Sequence, residues 1–187
     1  KDETERLRTR VYDCLAAFAD SAVLREILAV PYLSWKPIDS LETFDMEGIK
    51  IWCAIDFAYT DAGGTLRIVD WKTGGEKRSA LSTQLGCYML FARDAWFVPF
   101  EKIRCHGVFL SENGRVSEYP TPPEMLVATK DCVLSSAARM RDVLDDVEAN
   151  VASEEKFPCC DDERTCYRCN FREACPMVEG RGLLESS

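Results

Sequence analysis

The sequence predicts an α/β protein: a mixed central sheet flanked by helices, followed by a cysteine-rich, metal-bound C-terminal cap. Three observations carry this expectation. Apolar residues recur at helical spacing in three separate segments, 7–18, 81–92 and 126–151. Between them lie short runs rich in β-branched and aromatic residues, punctuated by Gly and Pro. Five cysteines then crowd into the seventeen positions 159–175.

Leu7, Val11, Leu15 and Phe18 form the stripe of a first helix, with a shorter amphipathic piece at 22–28. Pro31 and Pro37 break it, and residues 43–46 begin the sheet. Runs at 49–59 and 66–71 make a hairpin about the turn Asp61-Ala62-Gly63-Gly64. Leu81, Leu85, Met89 and Ala92 then set a helix over 79–93. A strand at 103–110 turns at Glu112-Asn113-Gly114 into another at 115–119. Pro120, Pro122 and Pro123 punctuate a linker before a long helix carried by Leu126, Val133, Met140, Leu144, Val147 and Val151. Asp142, Asp145, Asp146 and Glu148 read as its solvated face. The expected division is a core over 1–157 and a cysteine cluster and tail over 158–187.

At 187 residues, 47% of them hydrophobic, the chain suits one sizeable core. A net charge of −9 argues against binding nucleic acid over the whole surface. It leaves room for a local basic channel, since carboxylates at a metal site count against the total. No apolar run is long enough to span a bilayer, and no signal-peptide pattern opens the chain. Beginning at Lys1 instead of Met, it reads as trimmed or as a piece of a longer protein. Cys53, Cys87, Cys105 and Cys132 lie singly in apolar or amphipathic runs and are expected to be buried thiols. So many scattered thiols point to a reducing cytoplasm and not to a disulfide framework.

The chemistry concentrates on the hairpin. Asp70 and Lys72 are two apart on a strand and so project from one side, and strand pairing can bring Asp56 to that side. Two carboxylates and an ammonium at strand ends suit a divalent metal with a cation beside it. A strand-end Asp–Lys pair is equally the form of a solvated surface salt bridge. Asp70 follows the apolar pair Ile68-Val69 and Asp56 sits inside another apolar run, so burial there is costly unless a metal or the lysine compensates them. Gln84 and Tyr88 are four apart and share one helix face.

The run AIDFAYTDAGGTLRIVDWKTG followed by TQLGCY resembles the RecB-like PD-(D/E)XK nuclease family over roughly residues 40–176. That family carries an Asp on one strand, D-x-K-T-G on the next and Q-x-x-x-Y on the following helix. The resemblance implies a restriction-endonuclease-like fold and an Mg2+- or Mn2+-dependent deoxyribonuclease acting in DNA repair, recombination or foreign-DNA processing. Asp56, Asp70 and the Trp71 carbonyl would bind the metal. Lys72 would activate or orient the water, and Gln84 and Tyr88 would position DNA or the lysine. The expected partner is DNA, single-stranded or at duplex ends, within a larger helicase–nuclease or defence assembly and with no membrane. Lys77, Arg78, Arg164, Arg168 and Arg172 are candidate phosphate contacts or ordinary surface charge.

Cys166, Cys169 and Cys175 follow a C-x2-C-x5-C-P spacing. It is similar to the C-terminal triplet of iron–sulfur members of the family, such as AddB and the CRISPR-adaptation nucleases, which implies a 4Fe–4S cluster. Zn2+ is the alternative, with Cys160 completing a local four-cysteine site. The fourth cluster ligand stays open between Cys14, Cys160 and a residue before Lys1. The chain also departs from the family in lacking a His ahead of the first catalytic strand. His106, its single histidine, falls inside a later strand, and Glu42 is the nearest acidic substitute. Two expectations follow: a working nuclease, or a nucleic-acid-binding or assembly module of the same fold that cuts poorly.

Overall fold

The computed structural model describes residues 2–37, 40–120, 122–157, 160, 162–172 and 175, in two compact units, Lys1–Ser135 and Ser136–Ser187. In the first unit, α1 (Glu3–Ala19) and α2 (Ala22–Ala29) precede six strands. These are β1 (Leu41–Met46), β2 (Ile49–Ala54), β3 (Phe57–Thr60), β4 (Leu66–Lys72), β5 (Ile103–Phe109) and β6 (Arg115–Tyr119). Helix α3 (Arg78–Trp96) links β4 to β5, and α4 (Pro123–Asp142) begins after β6.

The main sheet has the order β3-β4-β5-β6, with β4 and β5 parallel and the outer pairs antiparallel. A parallel pair needs a crossover, which α3 supplies. Strand alternation then sorts the side chains. Ala58, Ile68, Cys105, Phe109 and Tyr119 share the core with Leu81, Leu85, Tyr88 and Met89 of α3. Phe57, Tyr59, Val69 and Val108 pack instead with Cys14, Val23 and Ile27 of α1 and α2. By the same alternation Asp70 and Lys72 lie on the α3 side. Gly107 pairs with Asp70, and a Cβ there would stand 2.8 Å from the Leu81 side chain, so the glycine admits α3 to this face.

The hairpin turn forms as expected: Asp61 accepts from the Gly63 and Thr65 amides and from Arg67, while Gly64 takes φ +76°. The second turn likewise places Asn113 and Gly114 at positive φ. Four expectations are corrected. Residues 49–59 are not one strand: β2 pairs with β1 in a separate two-stranded sheet, and the chain bends at Asp56 before β3 joins β4. Leu7, Val11 and Leu15 are exposed; α1 faces the sheet through Cys14, Ala17 and Phe18. Cys53 and Cys105 are buried, but Cys87 is partly accessible and Cys132 exposed.

The fourth correction concerns the last long helix. α4 ends at Asp142, and Leu144, Val147 and Val151 lie beyond it. Asp146 accepts from the Glu148 and Ala149 amides and bridges to Val151, with Asn150 at φ 53°. A side chain that caps its own following amides competes with helix continuation. The second unit also holds α5 (Glu163–Tyr167), capped by Asp162.

Candidate active site

Asp70 ends the apolar part of β4 and is fully buried. Neither of its carboxylate oxygens accepts a hydrogen bond. The Lys72 ammonium stands 2.7 Å from Oδ2 as an ion pair. Burial pushes the Asp70 carboxyl above the ordinary carboxylate value; Lys72 pulls it back and the nearby Asp56 adds to the rise. Keeping a carboxylate charged at such a depth costs folding energy that the Lys72 ammonium only partly offsets.

Asp56 occupies the bend between β2 and β3 and is exposed, contrary to the buried placement its apolar run suggests. Its Oδ2 accepts the Trp71 amide at 2.8 Å, which ties the bend to the end of β4 and sets Asp56 beside the Asp70-Trp71-Lys72 triplet. The Trp71 ring points the other way, edge-on to Phe18 at 4.8 Å. The middle residue of the triplet therefore anchors α1 while its backbone serves the site.

A directed chain of hydrogen bonds runs from Lys72 into the core. Lys72 donates to Gln84 Oε1 at 3.1 Å, Gln84 Nε2 donates to the Tyr88 hydroxyl at 2.6 Å, and Tyr88 donates to the Ala54 carbonyl at 2.7 Å. An ammonium can only donate and a carbonyl only accept, so both ends fix the amide orientation of Gln84. Burial raises the Tyr88 hydroxyl, with Asp70 and Asp56 reinforcing it, so Tyr88 remains a neutral donor. Ala54 lies two residues before Asp56, and the chain thus couples the lysine to the segment that carries the first carboxylate. Gln84 and Tyr88 are thus both bonded into the chain that starts at Lys72.

Beside this chain opens a cavity of about 310 Å³ lined by Lys72, Gly74, Gly75, Lys77 and Gln84. Lys72 and Lys77 give it a basic rim. Arg78 lies over the Tyr119 ring instead, with the guanidinium carbon 5.6 Å from the centroid. Arg164 and Arg168 are exposed in the second unit, and Arg172 bonds back to the Tyr167 carbonyl.

His106 sits in β5 opposite Val69, on the face away from Asp70, and burial followed by the charge of Arg67 lowers its basicity. It is the packed strand residue the sequence suggests. Glu42 is engaged by Ser40 at 2.6 Å on β1. Among the described residues no three His, Cys, Asp or Glu side chains form a group that could hold a metal ion. That includes Glu42 with the two aspartates, and the tail cysteines. In the tail Cys166 Sγ reaches the Cys160 carbonyl at 3.4 Å, and the Cys169 amide donates to the Cys166 carbonyl at 3.1 Å. Cys159 lies outside the described residues. Cys14 is buried among the residues that join α1 and α2 to the sheet. Spacing does not reveal that Arg10 reaches the Thr73 carbonyl, or that Glu76 meets Arg115 and Tyr119; only tertiary structure brings these about.

The model of the PD-(D/E)XK nuclease superfamily matches residues 4–176. The chain belongs to the PD-(D/E)XK nuclease superfamily. The match spans both sheets and the bonded set of Asp70, Lys72, Gln84 and Tyr88. Members are typically metal-dependent nucleases that use Mg2+ or Mn2+ and act on DNA. No curated protein is similar enough to count as a match. No helix among the described residues is long and apolar enough to cross a membrane.

Proposed function

We propose that this PD-(D/E)XK protein is an Mg2+- or Mn2+-dependent deoxyribonuclease of the RecB-like branch. Its substrates are single strands or duplex ends, in DNA repair, recombination or foreign-DNA processing in the cytoplasm. The observation that carries the reading is the buried Asp70 carboxylate without a hydrogen-bond donor, at the root of the Lys72–Gln84–Tyr88 chain. Asp70, Asp56 and the Trp71 carbonyl would hold the ion, an all-oxygen donor set that suits Mg2+ with its remaining waters. When bound, the ion lowers the pKa of its water and screens the charge that builds on the scissile phosphate.

The protein's own residues supply position and charge. Gln84, braced by Tyr88, holds the Lys72 ammonium beside Asp70, where it can orient the attacking water and offset charge on the phosphorane. Lys77 and the open Gly74-Gly75 backbone border the cavity through which a phosphate would come within reach of Lys72.

One observation favours the second reading, a DNA-binding or assembly module that cuts poorly. The described residues bring neither a histidine nor a third carboxylate to Asp56 and Asp70. Incubating the full chain with a single-stranded oligonucleotide and Mg2+ or Mn2+ separates the two. Metal-dependent cleavage that Asp70→Asn abolishes supports the nuclease; DNA binding without cleavage under every metal supports the module.

For the tail we propose a thiolate-held metal through Cys166, Cys169 and Cys175. A 4Fe–4S cluster is the first choice, and zinc with Cys160 the second. Support comes from their spacing. The described side chains are not gathered for a metal, and no catalytic step depends on it.

A further inference from the structure

Between Lys72 and α3 the chain runs through Thr73-Gly74-Gly75-Glu76-Lys77, and this loop is tied down at both ends. At its start the Arg10 guanidinium donates to the Thr73 carbonyl at 2.6 Å from α1. At its end the Glu76 carboxylate accepts from the Tyr119 hydroxyl and from Arg115 at 3.0 Å, both on the edge strand β6. Arg78, the first residue of α3, then stacks on the ring of the same Tyr119. Between the ties Gly74 and Gly75 have nothing within 4 Å of where a Cβ would stand. They face open space.

We infer that Glu76 and Tyr119 are positioning residues of the nuclease site: by pinning the loop to β6 they set the distance between Lys72 and Gln84. The inference rests on the nuclease reading above. Register makes the lever plain. Lys72 pairs with Phe109 and Phe109 with Arg115, so Arg115 lies in the lysine's own row of the sheet, two strands away. Arg115 also binds Glu112 and Ser117, and its guanidinium lies 4.7 Å from the Phe109 centroid. With three of its five N–H donors given to Glu112, Ser117 and Glu76, it serves as a post for the loop. Tyr119 is buried and its hydroxyl pushed up to about 12 by that burial and by Glu76, so it remains a donor. The Tyr119 hydroxyl in turn holds the Glu76 carboxyl below the usual range, with Arg115 adding, so the tie stays charged.

From this post the loop leads straight into the first two turns of α3, where Leu81 packs against Gly107 and Gln84 meets Lys72. Without the Glu76 tie, the α3 entry keeps the stack of Arg78 on the Tyr119 ring but loses its hydrogen-bonded anchor on β6. The Gln84–Lys72 bond is then free to lengthen while the core beneath it stays packed. A misplacement of that size alters rate more than affinity.

The test compares the full chain with Tyr119→Phe, Glu76→Gln and Glu76→Ala. Cleavage of a single-stranded oligonucleotide with Mg2+ is measured alongside amide hydrogen exchange over 73–77 and thermal stability. Glu76→Ala should lower the maximal single-turnover rate by about 10- to 100-fold with KM nearly unchanged, as small displacements from a reactive geometry do. Tyr119→Phe should cost roughly tenfold, and the double change Glu76→Ala with Tyr119→Phe no more than Glu76→Ala alone, as for partners in one interaction. Glu76→Gln keeps an acceptor for Tyr119 and should restore most of the rate. Exchange at Gly74, Gly75 and Lys77 should quicken in Tyr119→Phe with little loss of thermal stability. A rise in KM at unchanged maximal rate would overturn the inference, because the residues would then be substrate contacts. Loss of stability with an unchanged rate per folded molecule would also overturn it. If the unaltered chain cuts no DNA, the nuclease reading fails by itself, and exchange over the loop decides the tether: quickened exchange sustains it and unchanged exchange removes it.

Discussion

Replacing the two members of the Asp70–Lys72 pair should move the stability of the metal-free protein in opposite directions. Asp70 is fully buried with no hydrogen-bond donor, while the Lys72 side chain is 34% exposed and also bonded to Gln84. Lys72→Met strips the carboxylate of the cation paired with it. Leaving a buried charge uncompensated costs about 3 kcal/mol, and protonation of Asp70 caps the loss. Asp70→Asn leaves a lysine that water and Gln84 still satisfy, and removes a buried charge whose unmet bonds cost about 1–2 kcal/mol. At roughly 2–4 °C per kcal/mol for a chain of this size, Lys72→Met should melt about 6–12 °C lower and Asp70→Asn about 2–8 °C higher.

The assay is thermal or urea unfolding in EDTA near neutral pH. Because the Asp70 pKa is raised, the folded state holds this proton more tightly than the unfolded chain. Its contribution is most favourable below the ordinary value of 3.8 and is lost as pH climbs through the raised folded value. The advantage of Asp70→Asn should therefore grow over that window and then level off. Equal destabilisation by both substitutions would refute the reasoning and return the pair to a structural salt bridge.

Three further outcomes are expected. Gln84→Ala should reduce metal-dependent cleavage per folded molecule by about 10- to 100-fold, since the lysine loses its anchor, with only a small change in melting; lost stability at an unchanged rate would make Gln84 a packing residue. Gly86→Ala should destabilise the protein by about 1–3 kcal/mol in urea unfolding, because its Cβ would stand 2.3 Å from Thr129 Oγ1 where α3 meets α4. Anaerobically purified protein should be brown, with iron and sulfide by elemental analysis, and should bleach when Cys166, Cys169 or Cys175 is changed to Ala; stoichiometric zinc instead would select the local site through Cys160.

Sequence patterning made most of the candidate site legible. Alternation placed Asp70 and Lys72 together, the Asp61–Gly64 turn folded the hairpin, and four-residue spacing put Gln84 and Tyr88 on one side of α3. Those features depend on local periods, and local periods survive folding. What spacing could not supply depends on partners far along the chain. Asp56 escapes burial because β2 leaves to pair with β1, a choice no stretch of 49–59 reveals. The apolar stripe of α1 was read correctly as helical but assigned the wrong inward face, because Cys14 and Phe18 meet the sheet while Leu7, Val11 and Leu15 do not. The end of α4 turned on one aspartate capping its own neighbours, a contest that periodicity does not register. The loop ties from Arg10, Glu76 and Tyr119 join residues 43 or more positions apart and carry no motif at all.

The account stands on Asp70 being held in the core for a divalent cation, and Mn2+ titration followed by electron paramagnetic resonance measures that directly. Mn2+ favours oxygen over thiolate ligands, so the cysteine tail does not compete for it. The prediction is one ion per chain, with affinity reduced by at least about tenfold, or about 1.4 kcal/mol, in either Asp70→Asn or Asp56→Asn. Equal Mn2+ binding by the unaltered chain and both variants, or no binding by any of them, would contradict it.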